Sequence, residues 1–263
     1  MLNRLFGFRL IYTYVISLFS FSFSWATLAV LILVALFIGM AKTGIHGAGM
    51  AAVPLLATVF GGQLSSGVML PMLCLADVLG VWYYHKHAEW TYLKRLIPWA
   101  IAGTLLGTWA GQHIDDKTFK VIMAVIILLS IVIMVALERY RQAIPDNPAF
   151  AAGTGVAGGF TSMVGNLSGS VMAVYFLSMR LPKNAYIGTT AWFFMVMNWF
   201  KIPFHVLAWR TITWQTFWLD LLMLPAILLG AWLGVTLVRL LPERVYRFFI
   251  IGMTLVAAVL MLL

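Results

Sequence analysis

Apolar runs divided by short polar turns occupy the chain almost from end to end. Most runs are about 20 residues long, the length an α-helix needs to cross the hydrocarbon core of a bilayer. Barrel strands would instead alternate apolar and polar positions over about 10 residues. The pattern predicts helices over Val68–Tyr84, Leu96–Gln112 and Phe119–Leu137. It predicts turns over Gly61–Gly67 and Asp115–Lys117, and a polar boundary at His85–Trp90. Glu138–Asn147 is the longest clearly polar linker. Two apolar runs, Gly49–Phe60 with Pro54 inside it and Val171–Met179, are too short to span.

The first apolar run, Leu10–Ala41, raises a question of length. As one helix it would measure about 48 Å against a core of about 30 Å. Either the helix is long and tilted, or a separate N-terminal element precedes a helix that starts near Trp25. Ser24-Trp25-Ala26 has the small-x-small form of a signal cleavage site. Because the apolar run continues to Ala41, an uncleaved extension or anchor is expected over 1–24.

The sharpest break in the apolar pattern is K-T-G-I-H-G-A-G-M-A-A-V-P, Lys42–Pro54. Each glycine costs a helix about 1 kcal/mol relative to alanine. Gly44, Gly47 and Gly49 therefore predict that the helix stops here. In lipid, broken backbone persists only where protein or a water-filled cavity satisfies its polar groups. The break thus predicts a pocket with a cation in it.

The second half of the chain repeats the first. Pro98, Gly103 and Gly107 recur as Pro225, Gly230 and Gly234, an offset of 127. Upstream the offset is 121: Gly44 falls on Gly165, Gly67 on Gly188 and Asp77 on Asn198. The glycine-rich break has its own echo, M-V-G-N-L-S-G-S, Met163–Ser170. Two short, glycine-interrupted segments at matching places in two halves point to a transporter binding site. The halves are expected at 25–138 and 148–263, with five hydrophobic elements each. An odd number inverts the second half. Loops on one side hold eleven of the 17 Lys and Arg residues, which predicts that side to be cytoplasmic. The expected fold class is therefore an all-α polytopic membrane protein built as an inverted repeat, each half with a broken or re-entrant first helix pair.

Composition agrees: 63% of residues are hydrophobic and only 10% are charged, against about 25% charged in soluble domains. The net charge of +9 reads as membrane orientation, not as nucleic acid binding. Eight Asp and Glu residues are too few for a carboxylate-lined metal cage, and the single cysteine, Cys74, excludes an internal disulfide. His85 and His87 have only Glu89 close by, so no metal and no cofactor are expected.

Lysine and backbone amides suit an oxyanion, because freed N–H groups at helix ends attract anions. The candidate substrate-binding residues are Lys42, Thr43, Gly44, His46 and Gly47 in the first break, and Gly165, Asn166, Ser168 and Gly169 in the second. Asp77, Asn198 and Lys201 are candidates for coupling or for the pocket wall. Asp77 reads either as a proton relay or as the counter-ion of Lys42. Lys42 itself could instead be a snorkelling lysine at a helix end.

Three segments also carry a resemblance. K-T-G-I-H-G-A-G-M-A-A-V-P-L-L, T-S-M-V-G-N-L-S-G-S-V-M-A-V-Y-F-L and A-D-V-L-G-V-W-Y-Y-H-K-H-A-E-W are similar to the TauE/SafE group of sulfite exporter-like permeases, over about Leu28–Leu263. His46 and Ser170 depart from the small residue or proline expected in that pattern. The resemblance implies a multi-pass carrier of the plasma (inner) membrane for sulfur-containing or organic anions such as sulfite or sulfonates. The expected partners are a small-molecule anion and membrane lipid, with no nucleic acid and with homo-oligomerisation left open. Two alternatives stand beside a secondary carrier. One is an intramembrane serine hydrolase using Ser168 and His205. The other is an anion channel sharing the same pocket.

Overall fold

The structure is a computed structural model and describes residues 15–18, 21–140, 147–242 and 245. A short hairpin opens it, with β1 (Val15–Leu18) antiparallel to β2 (Phe21–Ser24). Ten α-helices follow among the described residues. They are α1 (Trp25–Lys42), α2 (His46–Phe60), α3 (Gly62–Tyr84), α4 (Trp90–Gln112), α5 (Asp116–Tyr140), α6 (Pro148–Gly165), α7 (Ser168–Ser178), α8 (Lys183–Pro203), α9 (Trp214–Leu222) and α10 (Leu224–Leu240).

A single helix over Leu10–Ala41 does not form. Phe21-Ser22-Phe23-Ser24 alternates apolar and polar residues, the period of a strand. Phe23 is buried and meets the edge of Phe60. Ser24 then starts α1, its Oγ accepting the Thr27 amide at 3.1 Å. The rest of the expected 1–24 extension lies outside the described residues.

The turn expected over Gly61–Gly67 shrinks to Gly61, whose φ of +87° suits glycine. Helix α3 begins at once because Asp116, from the start of α5, caps it across the fold. Its Oδ1 accepts the Gly62 amide at 2.7 Å and the Gln63 amide at 3.0 Å. Ser65 and Ser66 donate back to Gly62 and Gln63 carbonyls within that first turn, so they do not break it. Asp115 accepts the Thr118 amide at 3.0 Å, the expected cap of α5. Hydrogen bonds from Thr118 hold the Asp115 carboxyl below the usual carboxylate range. Helix α5 also runs on to Tyr140, into the first part of the expected polar linker.

Among the described residues two stretches, Trp25–Lys42 and Gly62–His87, are long and apolar enough to cross a membrane, and α9 with α10 would make a third span bent by 49°. Large apolar side chains point outward, Trp82 and Leu207 each 75% exposed. Charged Lys42, Asp77 and Lys201 are buried. Water would reverse that distribution; a protein in lipid has this one.

Small residues bring the helices together. Gly103 of α4 lies against the Val156 carbonyl of α6, and Gly159 of α6 against the Ala100 carbonyl of α4. Gly230 of α10 meets the Leu36 carbonyl of α1, and Gly39 of α1 the Ile227 carbonyl of α10. A Cβ at any of the four would collide with backbone. Close approach of this kind is how helices associate in lipid, where hydrophobic burial gives little drive.

Candidate functional site

Two helix breaks meet across one cavity. At the first, α1 ends after Lys42 and Gly44 takes φ +130°, a conformation that a side chain would strain. The Ile45 amide still reaches back to the Met40 carbonyl at 2.9 Å. Thr43 Oγ1 lies 3.0 Å from both the Gly39 and the Ala231 carbonyl, which ties the break to α10.

At the second break Asn166 takes the left-handed conformation, φ 57°. Asparagine is one of the few side chains that tolerates it. Its amide closes on the Ser162 carbonyl at 3.0 Å, and the Leu167 amide closes on Thr161 at 3.0 Å. The Asn166 side chain has two further bonds. Nδ2 donates to the Ser66 carbonyl at 2.9 Å, and Oδ1 accepts from Lys201 Nζ at 2.7 Å.

Between the breaks lies a cavity of about 40 Å³. That is room for more than one water molecule. Lys42, Asn166, Ser168, Gly169 and Asn198 line it with Ala41, Gly49, Met69, Leu73 and Phe194. The Lys42 ammonium sits 4.1 Å from the Phe194 ring centre, close enough for a cation–π contact.

Asp77 stands behind the lining. Its Oδ1 is 2.8 Å from Lys42 Nζ and its Oδ2 accepts Asn198 Nδ2 at 2.6 Å. Asp77 is thus the counter-ion of Lys42. Lys201 is fully buried and has a different environment. It donates to Asn166 Oδ1 and, at 2.9 Å, to the Ser162 carbonyl. Those oxygens sit at the C-terminal end of α6, where the helix dipole favours a cation.

The cavity therefore gathers Lys42, Asn166, Ser168, Gly169 and Asn198 and leaves other candidates out of its wall. Thr43, Gly44 and Gly165 shape the breaks; Gly44 packs on Val238 and Gly165 on Met123. Asp77 and Lys201 act on the lining from behind. His46 and Gly47 open α2, and their surroundings lie outside what the structure describes. Met69, Leu73 and Phe194 also line the cavity, and no polar or glycine spacing marks them. Met69 and Leu73 precede Asp77 at intervals of four, and Phe194 precedes Asn198 by four, so each shares a helix face with its polar neighbour.

His205 offers nothing to Ser168. Its Nδ1 pairs with Thr211 Oγ1 at 2.8 Å and its ring packs on Trp209, and it does not line the cavity. Cys74 is buried, as expected of a small core residue.

The family model described as sulfite exporter TauE/SafE matches residues 2–261 of the chain. The chain belongs to the sulfite exporter TauE/SafE family. A relative from Magnetospirillum gryphiswaldense, described as probable membrane transporter protein MamO, is 26% identical over 208 residues, covering 60% of this chain. The chain spans 32% of the length of that relative. No solved structure matches the present chain. The TauE/SafE family is one of membrane transporters, not of enzymes, so the serine hydrolase alternative falls away.

Proposed function

We propose that the chain is a multi-pass permease of the plasma membrane. It works as a secondary carrier for a small sulfur-containing or organic anion such as sulfite or a sulfonate. The observation that carries this reading is the cavity between the breaks, which offers a lysine, two asparagines and a serine and no carboxylate in its wall. Those are donors for an oxyanion. The start of α7 adds backbone N–H groups that have no partner inside the helix.

The two halves form an inverted repeat in this reading, and alternating access is a rocking of one half against the other around the site. The reciprocal glycine contacts support it, because α4 meets α6 as α10 meets α1. So does the bond between Asp77 and Asn198, which fall on each other at the offset of 121. The printed description of the magnetotactic relative as a membrane transporter points the same way.

The test is flux into proteoliposomes. Wild-type protein should move sulfite or a sulfonate with saturable kinetics. The double variant Lys42→Ala/Asp77→Asn, which removes the ion pair without leaving half of it buried, should fold and carry none. Wild-type rates from the double variant would remove the lysine from the mechanism. Flux that rises linearly with concentration would replace the carrier with a channel.

A further inference from the structure

The cavity holds a conflict over donors. Lys42 and Asn198 both line it, yet both already serve Asp77, at 2.8 and 2.6 Å. Asp77 is fully buried behind them and takes no part in the wall. An anion entering the cavity must therefore draw on the same ammonium and the same amide that hold an internal carboxylate. The side of Lys42 not turned to Asp77 lies over the Phe194 ring, which accepts no conventional hydrogen bond.

Resting on the anion reading above, we propose that Asp77 is a built-in competitor for the transported anion, displaced from Lys42 and Asn198 only as it takes up a proton. The permease thus couples one proton to each anion bound. The balance is simple. Water on the open side supplies the proton to Asp77. Lys42 keeps its own proton and turns its ammonium from Asp77 to the anion. A singly charged anion and the proton enter together, so occupation leaves the summed charge of the buried cluster unchanged. Without the proton, a carboxylate stripped of both donors would be left in apolar surroundings beside a second anion, a combination that buried sites do not tolerate.

The groups that face Asp77 are compatible with this exchange. Lys42 comes from α1, and the other buried cation is Lys201 of α8. Cys74, one turn earlier on α3, is the titratable neighbour on the same helix, and Asp220 of α9 is the other buried carboxyl among the described residues. Lys201 is held by Asn166 and the Ser162 carbonyl and is not drawn into the exchange.

The test is calorimetric binding of sulfite, sulfate and methanesulfonate to the purified full chain, in buffers of different ionisation enthalpy and across pH. Sulfate and methanesulfonate stay ionised throughout, so any proton taken up belongs to the protein. The expected result is about one proton gained per anion, with affinity falling about tenfold per pH unit on the alkaline side. Asp77→Asn should bind without proton uptake and with an affinity flat in pH. Should that variant not fold, the wild-type proton count decides alone. Binding by wild type with no proton uptake overturns the inference and leaves the anion site standing. No binding of any of the three overturns both.

Discussion

The two helix breaks solve one backbone problem with different residues and then hold their cations differently. At the first, glycine supplies the positive φ; at the second, an asparagine does, and its side chain is free to bond elsewhere. At the first break Lys42 meets a carboxylate. At the second Lys201 comes from the facing helix and meets only a carbonyl and an amide oxygen. The lesson is that two similar breaks need not hold their cations in the same way. Asp77 and Asn198, which share a place at the sequence offset of 121, bond to each other. An ion pair at one break and neutral oxygens at the other make the two ends of the site electrostatically unlike.

The glycine contacts should respond most strongly to substitution. Gly103→Leu and Gly230→Leu should each cost more than about 3 kcal/mol, because the new side chain meets backbone that cannot yield. Loss of monodisperse protein in detergent is the measurement. Equal loss from both variants upholds the likeness of α4 on α6 to α10 on α1, and tolerance of one would end it.

The lysines sharpen the difference. Lys42→Met leaves Asp77 buried without its cation and should cost about 3–5 kcal/mol. Lys201→Met strands only neutral acceptors and should cost about 1–3 kcal/mol. Thermal unfolding of the two variants side by side gives the order. Equal melting temperatures would mean that the carboxylate does not set the first break apart.

The smallest expected effect has the opposite sign. Asp220 is buried, and neither of its carboxyl oxygens has a hydrogen-bond partner among the described residues. At the offset of 127 its counterpart is Leu93, which is fully buried. Asp220→Leu should therefore raise stability by about 1 kcal/mol, read as a higher melting temperature. A fall would give Asp220 a role that Leu93 lacks.

What the chain determined by itself is what depends on neighbours in sequence. Helix hydrogen bonds close within four residues, so glycines at 44 and 165 announce their breaks and apolar run lengths announce helices. The family resemblance rests on the same local motifs. Local pattern failed where a distant group intervened. Gly61–Gly67 reads as a turn until Asp116 arrives to cap it, and Leu10–Ala41 reads as one apolar run until the strand alternation before Trp25 finds a partner to pair with. The partners of the buried charges were decided only in three dimensions. In the sequence Asp77 reads as relay or counter-ion, and Lys201 as a pocket candidate without a partner. Packing supplied the partners of both, because burial removes water as the default partner and leaves each charge the polar atoms that other helices bring within about 3 Å.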